Sequence, residues 1–167
     1  MTDTEGAARA TGSPLTVWIV GKGPSLCNLR AEHIGPGTVL TLNDAIEAVE
    51  ILNLPNLTYS LQNDGYVHET ANVLANAAFD SRDVPHWDAR VWGWASDQMV
   101  IRVAVAIAKG MGAARIVMVC CDSLLGDMRT WTPSGPVLDG SAGHYGYVRE
   151  PLMQDLSTIP YEVLTPC

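Results

Sequence analysis

The sequence predicts an α/β fold, a mostly parallel sheet with helices on both faces, and three observations predict it. Segments with strand and helix character alternate along the chain. The first and fifth strand segments, PLTVWIV (14–20) and RIVMVCCD (115–122), are apolar almost throughout, as central parallel strands covered on both faces are. The residues that follow the strands are small and polar although the strands are not, which fits a ligand site beyond the carboxyl ends of a parallel sheet.

Taken in order, residues 1–13 are expected to form a disordered tail: they lack the basic stretch and apolar run of a secretory signal. TVLTLN (38–43) reads as a second strand. In DAIEAVEIL (44–52), Ala45, Ile46, Val49 and Ile51 or Leu52 recur near helical spacing. NLTYSLQ (56–62) is a third strand after Pro55, ETANVLANAAF (69–79) is helical in composition, and ARVWGW (89–94) is a short fourth strand. The clearest helix is SDQMVIRVAVAIAKGMG (96–112), with Ser96 to cap it, Asp97 at the positive end of its dipole and Gly110 or Gly112 to stop it. Its residues are apolar nearly all round, so it is expected to be buried. The segment 123–159 has weak periodicity with Gly, Pro, Ser and Trp, and is expected to be a lid or long loop. PYEVLTP (160–166) could close the sheet. The whole is expected to be one α/β domain over 14–167, Rossmann-like in arrangement.

Length and composition set bounds. A chain of 167 residues, 47% hydrophobic and 17% charged, suits one globular domain with a real core. No apolar stretch approaches the ~18 residues that span a bilayer, so no membrane span is expected. Among the four cysteines there is no CxxC spacing and no sign of an oxidised framework, which makes a reduced, cytoplasmic setting the expectation. Cys120 and Cys121 are adjacent in a strand and should point to opposite faces. With 10 basic against 18 acidic residues the net charge is −8, which argues against duplex nucleic acid as a partner. The dispersed His33, His68, His86 and His144, and the lack of HxxxH or DxD spacing, give metal binding little support.

The most informative stretch is GKGPSL (21–26). Gly21 and Gly23 allow positive φ and close approach of backbone N–H groups to a ligand. Lys22 adds a point charge, and Ser25 could cap a following short helix. The spacing matches neither GxxxxGK[ST] nor GxGxxG, since Leu26 occupies the third glycine position. An ordinary tight strand-to-helix turn is the competing reading.

A wider pattern, VGKGPSL then LTLNDAI then SLQNDGY then the helix–strand–Asp unit that ends in RIVMVCCD, resembles two related groups. One is the bacterial sialyltransferases of glycosyltransferase family 42. The other is a domain family, mostly of unknown function, that includes archaeal 6-hydroxymethylpterin pyrophosphokinases. The resemblance covers residues 15–122, with a weaker echo at His144. It implies that Gly21, Lys22, Gly23, Pro24 and Ser25 surround the nucleotide phosphates and ribose. Asn43 would bond the nucleotide or donor sugar, Asn63 and Asp64 would lie near the donor, and Ser96 would contact the nucleotide from its helix N-terminus. It further implies that His144 is the general base and that Tyr145 and Tyr147, in SAGHYGY, hold the departing phosphate. Lys22 stands where those transferases have Asn, Cys121 replaces a glycine before Asp122, and the chain is much shorter than a complete sialyltransferase.

Each residue also has a plainer role open to it. His144 could take a proton near neutral pH or be an exposed loop histidine. Tyr145 and Tyr147 would share a face of an extended chain and could simply pack. Asp122 could bind a ribose hydroxyl or an acceptor amine, or cap a helix. Asn43 could cap the next helix, although Asp44 can do that. Trp92, Trp94 and Trp131 could stack on a base or sugar, or fill core. The function expected is a glycosyltransferase-like transfer of a sugar from a nucleotide-activated donor, CMP-linked in the sialyltransferase case, to an unidentified acceptor. Such a compact protein would fit a phage or a bacterial surface-polysaccharide locus. No cofactor is needed beyond that donor. A pyrophosphokinase or nucleotide hydrolase would instead need Mg²⁺ on Asp44, Asp64 and Asp122, and a non-catalytic nucleotide-binding module is the third reading. A lid this short could be completed by a second subunit of a homo-oligomer.

Overall fold

The computed structural model describes residues 12–61, 72–73, 100–132, 134–138 and 142–167, with residues 72–73 and 142–148 described by their backbone. Among these, six strands form one sheet: β1 (Thr16–Val20), β2 (Thr38–Leu42), β3 (Thr58–Leu61), β4 (Asn72–Val73), β5 (Arg115–Val119) and, after a separate hairpin of β6 (Arg129–Thr130) and β7 (Val137–Leu138), β8 (Tyr161–Leu164). Their order is β4-β3-β2-β1-β5-β8, and every neighbouring pair is parallel. The expected α/β fold with a parallel sheet is therefore the one adopted. The chain builds outward from β1 through β2 and β3 to β4, then returns to lay β5 on the other side of β1. The order reverses between β1 and β5, which makes their carboxyl ends the topological switch point.

The apolar runs that identify the central strands are used on both faces. Val17 and Ile19 of β1, Leu40 and Leu42 of β2, and Ile116 and Met118 of β5 pack in one cluster with α2 (Val100–Gly110) and with Leu152 and Leu156 of α3 (Ala142–Leu156). Val20, Val39, Val117 and Val119 face the other way, against Leu26, Leu29 and Ile34 and against Ala45 and Val49 of α1 (Ala45–Glu50). Strand β2 is buried along its whole length, including two threonines. Thr41 meets the cost of that burial by donating its hydroxyl to the Tyr59 carbonyl at 3.3 Å.

Helix α2 buries seven of its eleven residues, in keeping with its apolar circumference. Its two cations converge on one residue of α3: Arg102 Nε lies 2.7 Å from Asp155 Oδ2, and Lys109 Nζ donates to the Asp155 carbonyl. This pairing fixes α3 beside α2 and explains how a helix so apolar carries charge.

Two expectations need correction. Residues 123–159 are not one long loop. A two-stranded antiparallel hairpin, β6 (Arg129–Thr130) with β7 (Val137–Leu138), is followed by the fifteen-residue α3. Gly143, Gly146 and Pro151 hide that helix by lowering its propensity and breaking its apolar pattern, while Leu152 and Leu156, four apart, anchor it in the core. Within 69–79, Asn72–Val73 is a short strand paired with Tyr59 and Ser60, so ladder pairing with β3 outweighs local helical composition there. The fourth strand expected at 89–94 and the first four residues of the helix at 96–112 lie outside the described residues, as does the tail at 1–11. No helix of the described residues is long and apolar enough to cross a membrane.

The central sheet is the energetic weight of this fold. Ile19, with no exposed surface in the middle of β1, should be among its costliest sites. Ile19→Ala is expected to lower the unfolding free energy by about 2–5 kcal/mol and Ile19→Val by about 0.5–1.5 kcal/mol, as read from urea unfolding midpoints.

Candidate functional site at the carboxyl edge

The exits of β1, β2 and β5 meet at the switch point, and each bends for a visible reason. β1 leaves through Gly21 and Gly23, whose N–H groups donate to the carbonyls of Val119 and Cys120, both at 2.8 Å. A Cβ on Gly21 would stand 2.8 Å from the Cys120 carbonyl oxygen and 2.8 Å from Cys121 Sγ. On Gly23 it would stand 1.8 Å from Asp122 Oδ2 and 2.7 Å from the Cys120 oxygen. Both glycines are thus needed for the β1 exit to lie against the β5 exit. This corrects the expected use of the turn: the two amides are spent on β5, and neither glycine has positive φ.

β2 and β5 leave through left-handed residues. Asn43 has φ +49° and Cys120 has φ +54°, two of the three non-glycine residues with positive φ among those described. Asn tolerates that region through its short polar side chain. The turn at Cys120 breaks the strand's alternation, so Cys120 joins the cluster of α1 while Cys121 joins that of α2 and α3. The two thiols therefore do serve opposite faces. Burial pushes the Cys120 thiol up to about 12 despite the Ser25 hydroxyl beside it, and burial likewise raises Cys121.

Ser25 lies inside the short 3-10 helix Pro24–Asn28 and does not cap it; Gly23 holds the cap position with no side-chain bond. Its hydroxyl instead donates to Asp122 Oδ2 at 2.8 Å, and its N–H reaches the same oxygen at 3.4 Å. Asp122 is 8% exposed, the one buried carboxylate among the described residues. It opens the 3-10 helix Asp122–Leu125, which Gly126 ends with φ +97°. Lys22, between the glycines, reaches across to β2: its Nζ lies 2.8 Å from Asp44 Oδ2. Asp44 occupies the N-cap position of α1 yet makes no side-chain cap bond, a second departure from the expected role. The Lys22 carbonyl accepts the Trp131 N–H and, at 3.3 Å, the Thr130 hydroxyl, which docks the β6–β7 hairpin on the turn. Trp131 packs against the core cluster of α1.

Of the residues the sequence singled out, the structure brings together Gly21, Lys22, Gly23, Pro24, Ser25, Asn43 and Asp122 at one edge. Asn63, Asp64, Ser96, Trp92 and Trp94 lie outside the described residues. His144, Tyr145 and Tyr147 fall in the first turns of α3, where the backbone is helical. The extended face expected for positions 145 and 147 does not exist there, since residues two apart on a helix stand about 200° round its axis. Arg149, one turn further on, donates to the Leu124 carbonyl at 3.5 Å and ties α3 to the segment after Asp122. Asp44 was expected as a helix cap or a Mg²⁺ ligand and Trp131 as a stacking or core residue. The Lys22–Asp44 pair and the docking of Thr130 and Trp131 on the Lys22 carbonyl were not foreseen. The Asn-Asp pair after a strand was the one available signal for Asp44, and nothing in the sequence signals the hairpin contacts.

Among the described residues no three His, Cys, Asp or Glu side chains converge as metal ligands would. The groups on offer are one cation, a serine hydroxyl, an asparagine and two carboxylates, which can hold a polar ligand with an anionic end and hydroxyl donors. Comparison with protein-family models, with curated proteins and with solved structures finds no match to this chain.

Two outcomes follow from this packing. Gly23→Ala should lower stability by about 1–3 kcal/mol, as overpacking does, and Asp122→Ala in the same background should recover only part, because the Cys120 oxygen remains; thermal unfolding of the three proteins checks it. Cys27 and Cys167 are exposed and Cys120 and Cys121 buried. Iodoacetamide at pH 8 should therefore label two thiols in the folded protein and four in denaturant, by intact mass. The folded state holds the Cys120 proton up to about pH 12 whereas a free thiol loses it near 9.0, so stability should fall as pH rises above about 9.

Proposed function

We propose that this chain binds a nucleotide at the carboxyl edge between β1 and β5 and acts as a glycosyltransferase-like enzyme on a nucleotide-activated sugar. The observation that carries the reading is that Lys22, Ser25 and Asp122 stand at the switch point between β1 and β5, with Asn43 at the neighbouring exit of β2, where parallel α/β sheets bind their ligands. Lys22 would hold the phosphate as a point charge. Asp122, fixed by Ser25, would accept from a ribose or sugar hydroxyl. His144 as base, with Tyr145 and Tyr147 on the leaving phosphate, would complete a direct displacement at the anomeric carbon; these three roles rest on the resemblance alone.

A second reading, a module that binds a nucleotide without turning it over, is favoured by a specific observation. The Gly21 and Gly23 amides bond β5, which leaves Lys22 with less backbone help in stabilising a departing phosphate than a phosphate-cradling loop gives.

Thermal-shift titration with CMP, UMP, GMP, AMP and their diphosphates, with and without Mg²⁺, tests the binding common to both readings. A metal-independent rise in melting temperature with one monophosphate, diminished in Lys22→Ala, is expected. Release of that monophosphate from its sugar conjugate, lost in His144→Ala, separates the enzyme from the binding module. No shift with any nucleotide overturns both.

A further inference from the structure

The contact that the proposed function does not use is the one its single cation already makes. Lys22 Nζ sits 2.8 Å from Asp44 Oδ2, with the Lys22 side chain 25% and the Asp44 side chain 46% exposed. Asp44 comes from the exit of β2 and Lys22 from the exit of β1, so the pair spans two strand ends on the outer side of the edge. Asp44 is also placed to do something else. It holds the N-cap position of α1, where an aspartate ordinarily bonds the helix's free amides, but its backbone is in the right-handed helical region and no side-chain cap bond forms. The carboxylate has forgone the commoner partner for the lysine.

We infer that Asp44 is an affinity-setting residue: in the free protein its carboxylate occupies the position on Lys22 that an anionic group of the ligand takes on binding. The inference rests on the nucleotide reading for the identity of that group, a phosphate or pyrophosphate. A carboxylate offers one negative charge to the ammonium and a terminal phosphate up to two, so the phosphate displaces it, and affinity is reduced by whatever the original pair was worth. The displaced Asp44 keeps a use, since the first-turn amides of α1 are one residue away. Selection follows from the same arrangement. A singly charged or neutral ligand end competes poorly with Asp44, and a doubly charged end competes well, so the pair discriminates terminal phosphates from carboxylates and sulfate esters.

The test measures pyrophosphate binding by isothermal titration calorimetry at low salt for wild type, Asp44→Asn, Lys22→Ala and the double variant. Asp44→Asn should bind pyrophosphate about two to five times more tightly, the range that an exposed ion pair is worth. Lys22→Ala should bind it more weakly, and the gain from Asp44→Asn should vanish in the Lys22→Ala background. Asp44→Ser, which can still cap α1, should show the same gain and keeps the test readable if Asp44→Asn unfolds. Equal or weaker binding by both Asp44 variants, a gain that survives without Lys22, or no pyrophosphate binding by any of the four proteins overturns the inference. The same proteins titrated with nucleotides separate it from the proposed function. Lys22-dependent pyrophosphate binding that Asp44→Asn tightens, with no nucleotide binding, retains Asp44's role and removes the nucleotide. Nucleotide binding that Asp44→Asn weakens does the reverse.

Discussion

The molecule is organised by the contact between the exits of β1 and β5. Two residues without side chains let one strand end lie on the other, the amides of both are consumed there, and the Asp122 carboxylate fills the space that Gly23 leaves open. A buried carboxylate is costly unless it is bonded, and Ser25 supplies the bond from the opposite strand's exit. From that join the rest of the edge is set out: Lys22 is held between two pinned glycines, its carbonyl receives the hairpin, and its side chain reaches β2. A sheet of the same strand order with alanine at position 23 would have to part at the place where its polar residues gather.

The same join changes what the glycine-rich turn is for. In a phosphate-cradling loop the small residues expose amides to a ligand. Here they bring amides to a neighbouring strand, and the polar groups left facing outward are side chains. The chemistry of this edge is therefore that of Lys22, Ser25, Asp44 and Asp122, set residue by residue, and less that of backbone geometry which any sequence with the turn would share.

Much of the scaffold was legible because burial on both faces leaves little freedom of composition. VWIV, VLTL and IVMV could be read as interior strands, and the apolar circumference of 100–110 as an interior helix, without knowing their neighbours. What escaped was decided by tertiary partners. Asn72–Val73 is a strand because β3 offers it a ladder. α3 survives Gly143, Gly146 and Pro151 because Leu152 and Leu156 are buried and Asp155 is gripped by two cations of α2. At the site, the list of polar residues following the strands identified the edge, while the assignment of partners did not follow from it. Ser25 and Asp44 were each read as caps, the local role such residues take by default, and both are drawn instead to residues brought near by the fold.

The hydrogen bond between Ser25 and Asp122 joins residues 97 apart in the chain, and β1 finds β5 across a similar interval. Closing so long a loop costs entropy that the β1–β5 contact itself must offset. The polar edge therefore exists only where β1 and β5 have paired. A fragment that stops short of β5 would leave Gly21 and Gly23 as a loose turn with their amides in water. The side-chain cluster of this edge is thus a property of the paired strands, present with the β1–β5 join and absent without it.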